Sequence, residues 1–530
     1  MATLEAPVRA ASSLHHQPFR NEPLTDFSKE ENARRMRAAI DKVRGQLGRE
    51  YDLIIGGKRF KTDDKIKSLN PAKPSQIVGI HQKATKEHVE PAMQAALRAF
   101  ELWRFTPAEE RASLLFKVAD LLRERKFEFC AWLVFEVSKN WAEADGDIAE
   151  TIDFCEFYGR EALRLAHTEL PTHLPGEHDT LHYIPLGVGA VIPPWNFPCA
   201  IMAGMTLASI VCGNTVILKP SSDSPTIAAK FVELLEEAGV PDGVVNFCPG
   251  SGASFGNALV THPKTRYIAF TGSREVGLDI HKRAAEQVPG QVWIKRTILE
   301  MGGKDAIIVD GDCDLDSAVE GVASAAFGFQ GQKCSACSRA IVDERIYDKF
   351  LERLKARVEK ITVGDPAENP NMGAVINEGA MKSMLEYIEH GKKDGRLITG
   401  GERVKGDGYF IQPTVIADIE PKSKLEQEEI FGPVLAVIKS RNYEHALEIA
   451  NDTEFGLTGA VYTNSKDKIE HAIREFHVGN LYINRKCTGA MVGCHPFGGF
   501  NMSGTDSKSG GPDYLYLFTQ GKAIGEKISR

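Results

Sequence analysis

Long apolar runs are missing from this sequence. No stretch approaches the roughly 18 uninterrupted apolar residues of a membrane-spanning helix, so a soluble chain with no membrane partner is expected. Cysteine is scarce, 10 in 530 residues, and most stand singly in apolar runs, as Cys212 does in ASIVCGNTVIL. That scarcity excludes a disulfide scaffold and fits a reducing compartment, which makes the cytoplasm the expected location. Basic charge is not in excess either. Lys and Arg total 64 against 72 Asp and Glu, a formal net charge of −8, so no field draws in nucleic acid or an anionic membrane surface. The amino terminus, MATLEAPVRAASSLHHQPF, has no apolar core for secretion, and Glu5 and the brevity of the stretch argue against a transit peptide. Tandem repeats and low-complexity tracts are lacking too.

What is present is ordinary globular composition, 42% hydrophobic and 26% charged, in a chain long enough for two or three domains with full cores. Ser28-Lys-Glu-Glu31 reads as a capping box, followed at helical spacing by Met36, Ile40, Val43 and Leu47. Thr106-Pro-Ala-Glu109 reads as a second box, with Pro at the first helical position and a stripe of Leu114, Val118, Leu121 and Leu122. Between them Val89, Met93, Ala96, Phe100 and Trp103 form a further stripe. From about residue 187 the texture changes. Short β-branched runs (GVGAVI, NTVILKP, VVNFCP, YIAFTGS) alternate with helical patterns, one of which opens at Ser224-Pro225 and closes at Gly239. This alternation predicts an α/β fold with a parallel sheet and crossover helices, the usual platform for a nucleotide. A second series, DAIIV, RAIVDE, GPVLAVIK, LTGAVYT and GNLYIN, predicts a second α/β unit after a boundary near residue 298.

Four places carry candidate chemistry. PGSGASFG holds Gly250, Gly252 and Gly256, one residue off the dinucleotide fingerprint, and FTGSREVG presents Gly272 and Ser273 where a strand gives way to a helix. Either loop suits phosphate, and either could be a structural turn. In PPWNFP, Asn196 is held among prolines and aromatics, as a turn residue or as an amide donor to an oxyanion. In LEMGGK, Glu300 lies between apolar neighbours, as a surface charge or as a base with a raised pKa. The fourth is GFQGQKCSACSR, with Cys334 and Cys337. A zinc site needs four ligands, and Cys487 and Cys494-His495 lack the compact spacing of a zinc knuckle, so no metal is expected. A dithiol couple belongs in a small domain after an early strand. The reading left is a single activated thiolate, Cys334, favoured by Lys333 and by a position at the start of a helix.

PWNFP, LKPS, FTGS, LEMGGK, GQKCSACSR, EEIFGPV and HPFGGFNMSG stand in the order found in the aldehyde dehydrogenase superfamily, and from about residue 50 the chain resembles that family. The resemblance implies an aldehyde dehydrogenase-like fold: a helical extension over 1–50, a Rossmann-type NAD-binding domain over 51–298 with an oligomerisation hairpin near 171–185, a catalytic domain over 299–510, and an oligomerisation strand over 511–530. It implies that Cys334 attacks the aldehyde carbon, that Asn196 and the Cys334 N–H hold the oxyanion, and that Glu300 activates the water that hydrolyses the thioester. Lys219 is implied to bind the adenosine ribose of NAD, Ser273 the pyrophosphate, and Glu429 and Phe431 the nicotinamide ribose and ring, with Ile192, Ser222 and Gly272 at the same cleft.

Within the family, FRNEPLTDF, GQKCSA and KCTGAMVGCHPFGG resemble the members that oxidise L-glutamate γ-semialdehyde in proline catabolism. That substrate carries a carboxylate and an ammonium remote from its aldehyde. Gly489 and Ala490, in a turn with exposed N–H groups, and the Ser335 hydroxyl suit the carboxylate. Phe197 and Phe497 are implied to flank the aliphatic chain. Association of copies, as a dimer or a hexamer, and a functional link to proline dehydrogenase are also implied. Two positions depart from the family pattern. Ser222 stands where many NAD-selective members have Glu, which would let NADP be tolerated, and Cys337 stands where a small residue is usual; it is read as a packing residue able to trap Cys334 under oxidation.

Overall fold

The computed structural model describes residues 18–528; the first seventeen residues, and with them most of the stretch read for targeting signals, lie outside it. Two seven-stranded sheets dominate. In spatial order the first runs Arg296–Glu300, Tyr267–Thr271, Val188–Ile192, Thr215–Leu218, Val245–Phe247, Leu53–Ile55, Lys58–Phe60; the first five strands are mutually parallel and the last two antiparallel. The second runs Arg396–Thr399, Thr414–Ala417, Val434–Ser440, Arg339–Asp343, Ala306–Val309, Thr458–Tyr462, Asn480–Ile483, parallel except for its first pair. All nine β-branched runs picked from the sequence are strands of these sheets.

Their near-continuous apolar character follows from burial on both faces. Alternate residues of one strand feed different cores: Val188, Ala190 and Ile192 pack on one side of the first sheet, Val191 and its neighbours Val216 and Leu218 on the other. Ile307 and Val309 are divided in the same way from Ala306 and Ile308 in the second sheet.

The chain leaves Val188–Ile192 for two strands on one side, then returns to place Tyr267–Thr271 on the other. This reversal creates a crevice at the carboxyl ends of Val188–Ile192 and Tyr267–Thr271, where doubly wound sheets take their ligands. Asn196 follows the first of these strands, Ser273 follows the second, and Glu300 closes the neighbouring strand. One short connection, Met301–Asp305, then passes to the second sheet.

Helix positions follow the apolar stripes, while two caps differ from expectation. The helix Glu30–Arg44 buries Met36, Ile40 and Val43, but its N-cap is Lys29, because the Ser28 hydroxyl donates to Asp26 Oδ1 at 2.6 Å instead of capping. Thr106 likewise caps nothing: Pro107 is the N-cap of Ala108–Glu124, so the helix starts one residue later than read. The Pro225–Ala238 helix is as read, with Pro at its start and Gly239 left-handed (φ 96°) at its end. Residues 171–185 hold no local hairpin. The one strand there, Glu177–Pro185, pairs antiparallel along its whole length with the carboxy-terminal strand Thr519–Lys527.

Candidate active site

The approach to Cys334 is made by an unusual backbone. The helix Leu315–Phe327 ends, and Phe329, Gln330 and Gly331 then take left-handed conformations in succession, φ 47°, 57° and 67°. Such a run is held only when its surroundings over-determine it. Here Gln330 Nε2 donates to the carbonyls of Ser138 and Ala374 at 3.1 and 2.9 Å, and Gln332 Oε1 accepts from Ile376 N at 2.9 Å. Gly331 is required by contact as well as by φ, since a Cβ there would stand 2.2 Å from the Gly432 carbonyl of the EEIFGPV segment. Cys334 therefore sits in a turn after a helix, not at the start of one.

This corrects the electrostatic expectation. Lys333 does not serve the thiol, because its ammonium is paired with Glu143 at 2.7 Å. Burial, followed by the carboxylates of Asp305, Glu300 and Glu429, pushes the Cys334 thiol well above its ordinary range. Cys337 points elsewhere: it is buried in the core with Tyr462 and Cys487 and donates to the Arg339 carbonyl at 3.4 Å.

The other groups converge from the first sheet. Asn196 is buried, and its Nδ2 donates to the Gln332 carbonyl at 3.1 Å, two residues from the nucleophile. Among the described residues the Cys334 N–H has no acceptor. Glu300 accepts from the Ser507 hydroxyl through Oε1, while Oε2 is buried without a partner. Burial pushes its carboxyl up to about 8, against the lowering effect of Ser507. The two glycines of LEMGGK have steric reasons. A Cβ on Gly302 would meet Glu429 Oε2 at 2.2 Å, and one on Gly303 would meet the Cys334 carbonyl at 2.6 Å. Gly303 N also donates to Glu429 Oε1 at 3.0 Å, and burial raises that carboxyl to about 7.

Cys334, Glu300, Phe197, Ser335, Gly489, Ala490 and Phe497 all line one cavity of about 410 Å³. Its far wall is the turn expected to receive an anion. Gly489 is left-handed (φ 80°), Arg485 takes the carbonyls of Thr488 and Gly489 at 3.0 Å each, and the N–H groups of Gly489 and Ala490 have no acceptor among the described residues. The wall also holds residues not singled out from the sequence, Glu143, Lys486, Glu150, and Glu22 with Leu24 from the amino-terminal segment, beside Lys333, read from the sequence only as a partner of the thiol. Glu143 lies in the first turn of the helix Trp141–Ala166, three residues after its Asn140 N-cap, where an acid needs no function to explain it.

The residues expected to bind a dinucleotide lie along the crevice of the first sheet. Lys219 follows the strand Thr215–Leu218; its ammonium is buried, donates to the carbonyls of Pro220 and Gly250 at 3.2 and 3.3 Å, and is lowered to about 8 by burial. The near-miss glycine cluster wraps beside it: a Cβ on Gly256 would stand 3.5 Å from the Lys219 methylenes, and one on Gly252 would face open space. Ser273 is the N-cap of the helix Arg274–Ala285, whose free N–H groups and dipole suit a pyrophosphate. Ile192 ends its strand buried, Gly272 leaves room for the Phe270 ring, and Ser222 is exposed beside Lys219. Phe431 is left-handed (φ 56°) and meets Trp195 edge-on at 5.4 Å, so Glu429 and Phe431 face this crevice from the second sheet. A buried cation, a helix amino terminus and an uncrowded glycine turn together fit a dinucleotide.

With that geometry in place, the comparisons decide the family. The aldehyde dehydrogenase family model matches residues 59–524. The chain belongs to the aldehyde dehydrogenase family. Among aldehyde dehydrogenases, it is 57% identical over 511 residues to the 1-pyrroline-5-carboxylate dehydrogenase of Geobacillus kaustophilus, an alignment covering 96% of this chain and 99% of the relative. A crystal structure of 1-pyrroline-5-carboxylate dehydrogenase from Thermus with bound NAD superposes with a TM-score of 0.95 at 52% identity, covering 96% of this chain and 99% of that one. Proline utilization A (PutA) from Bdellovibrio bacteriovorus also reaches 0.95, at 45% identity; 99% of this chain aligns with 54% of that longer one.

Proposed function

We propose that this aldehyde dehydrogenase oxidises L-glutamate γ-semialdehyde, the open form of 1-pyrroline-5-carboxylate, to L-glutamate in proline catabolism, with reduction of NAD. The observation that carries the reading is one cavity holding a thiol and a half-partnered carboxyl at one end and two unspent backbone N–H groups at the other. A substrate with an aldehyde at one end and a carboxylate at the other matches those ends.

The chain's residues divide the reaction as follows. Cys334 gives up its thiol proton to solvent, the Sγ lone pair forms the bond to the aldehyde carbon, and the carbonyl electron pair moves to oxygen, where Asn196 Nδ2 and the Cys334 N–H hold the charge. Collapse of the thiohemiacetal reforms the C=O bond and expels hydride from carbon, leaving a thioester on Cys334. NAD bound along Lys219, Ser273, Glu429 and Phe431 supplies the acceptor for that hydride. Glu300 Oε2 then takes a proton from water; the new C–O bond forms, the C–S bond breaks, and the product leaves as a carboxylate. Ser335, Gly489 and Ala490 hold the remote carboxylate, and Phe197 and Phe497 bracket the methylenes. The exposure of Ser222, with a hydroxyl in place of a carboxylate, supports tolerance of NADP.

We also assign 51–298 as the NAD-binding domain and 299–510 as the catalytic domain, although the strand Arg296–Glu300 runs past that boundary in the first sheet and Met301–Asp305 is the passage to the second. The exposed Glu177–Pro185 and Thr519–Lys527 pair supports self-association, as dimer or hexamer. The PutA alignment supports proline dehydrogenase as a functional partner, and ten unpaired cysteines support a cytoplasmic location. Among the described residues no helix is long and apolar enough to cross a membrane.

The test is NAD reduction with pyrroline-5-carboxylate. The protein should prefer this substrate to succinic semialdehyde in kcat/KM, and Cys334→Ala should lose at least about ten-thousand-fold in turnover. A clear preference for succinic semialdehyde, or turnover surviving in Cys334→Ala, would sink the proposal.

A further inference from the structure

The segment Phe19–Thr25 has no regular secondary structure, yet it is pinned on two sides. On one side is the long helix Trp141–Ala166. Asp153 accepts from Glu22 N at 2.6 Å and from Asn21 Nδ2 at 2.8 Å, and Asp145 accepts from Thr25 N and Oγ1 at 2.8 and 2.5 Å. Arg123 adds a contact to Glu22 Oε2 at 2.9 Å. On the other side is the loop that carries Gly489 and Ala490. Asn21 Nδ2 donates to the Val492 carbonyl at 2.9 Å, and Cys494 Sγ donates to Asn21 Oδ1 at 3.6 Å. The Phe19 ring fills the space where a Gly493 Cβ would project, 3.0 Å away, and meets Phe157 edge-on at 5.2 Å. Glu22 and Leu24 complete the cavity wall.

One amide thus ties the helix to the loop that shares the cavity wall with the nucleophile. The loop needs such a tie. It has two left-handed glycines, 489 and 493, and Gly493 N to Gly510 O at 2.8 Å is its nearest backbone anchor on that side. Two N–H groups can receive a carboxylate at a fixed distance from a thiol only if their turn does not drift by more than a fraction of an ångström.

We propose that Asn21 is a positioning residue for the reaction: through Asp153 and Val492 it sets the Gly489–Ala490 turn at the separation from Cys334 that a five-carbon α-amino-acid aldehyde spans. The inference rests on Gly489 and Ala490 receiving the substrate carboxylate. It makes the amino-terminal segment a wall of the substrate site and a determinant of chain length and charge, not a detached extension.

The test compares pyrroline-5-carboxylate with pentanal, which has the same chain length and no charged end, on the full chain. Losing a hydrogen bond of this kind should raise KM for pyrroline-5-carboxylate about ten-fold in Asn21→Ala while kcat stays within about two-fold. The kcat/KM for pentanal and the KM for NAD should be unchanged, and Asn21→Gln, which keeps the amide, should recover part of the loss. Arg20→Ala, at an exposed neighbour, should behave as the parent. If Asn21→Ala does not fold, the two-substrate comparison is read on Asn21→Gln, which should show a smaller rise in KM confined to the charged substrate. Equal losses on both substrates, or an unchanged KM for pyrroline-5-carboxylate, overturn the inference. A parent enzyme that prefers pentanal would overturn the proposed function instead, whatever Asn21→Ala does.

Discussion

The two ends of the substrate cavity are built on opposite principles. At the thiol end, charge is stripped of partners: Glu300 Oε2 has none, Glu429 has one backbone donor, and burial lifts both carboxyls and the Cys334 thiol. At the anchor end, charge is paired. Lys333 meets Glu143 at 2.7 Å, and although burial pushes Glu143 up, the Lys333 ammonium outweighs it and holds the carboxyl below its ordinary range. The difference separates proton transfer from recognition. A base that must exchange a proton near neutrality needs a pKa near the working pH, which desolvation provides. A receptor for fixed charges needs groups that stay ionised, which pairing provides.

The sharpest way to break the contrast is to remove the ionisable group from the thiol end alone. Glu300→Gln keeps the shape and the Ser507 contact but cannot take a proton from water, so steady-state turnover should fall about a thousand-fold. Formation of the thioester does not need that proton transfer from water, so a burst of NADH equal to the enzyme concentration should survive. The parent should also show a rising limb in kcat: the carboxyl, lifted to about 8, is protonated below that pH and inactive as a base, and turnover climbs as pH rises through it. Glu300→Gln should lose the limb. A parent profile flat from pH 6 to 9 would show that Glu300 does not limit turnover.

A smaller effect is expected from the anchor end. Glu143→Gln removes the partner of Lys333 and a negative charge from the cavity wall, where a carboxylate could receive the substrate's ammonium. KM for the amino-acid aldehyde should rise about ten-fold, with little change for an aldehyde acid lacking the amino group. If both substrates weaken together, Glu143 serves the fold of the wall and not recognition.

Nine strands and their division into two α/β units were legible because those strands are buried on both faces and read as near-unbroken apolar runs; their order was not, nor were outer strands such as Lys58–Phe60 and Arg396–Thr399, which lie largely exposed. The groups at the thiol end were legible for a related reason. Asn196, Glu300 and Cys334 each stand out chemically against apolar or glycine-rich neighbours, and the glycines turn out to be dictated by close approaches at Gly302, Gly303 and Gly331. The anchor end was legible only in its turn. Glu143, Lys333 and Glu22 are charged residues in ordinary surroundings along the chain, and they acquire meaning only when residues more than a hundred positions apart share a wall. The helix start imagined for Cys334 failed for the same reason. Whether the thiol had a cation beside it was decided by Glu143, far away in sequence, which claims Lys333.

The finest test concerns the one hydrogen bond that moderates the dry end. The Ser507 hydroxyl donates to Glu300 Oε1, and a donor favours the ionised carboxylate, so it draws the pKa down from where burial alone would leave it. Ser507→Ala should therefore raise the carboxyl further and move the rising limb of kcat to higher pH by about half a unit, a loss of about three-fold at pH 7. On the alkaline plateau, where Glu300 is ionised in both proteins, turnover should be equal. The opposite pattern, an unmoved limb with a lowered plateau, would mean that Ser507 aims the carboxylate and leaves its proton affinity alone; the contrast between the two ends would then rest on burial without any tuning by hydrogen bonds.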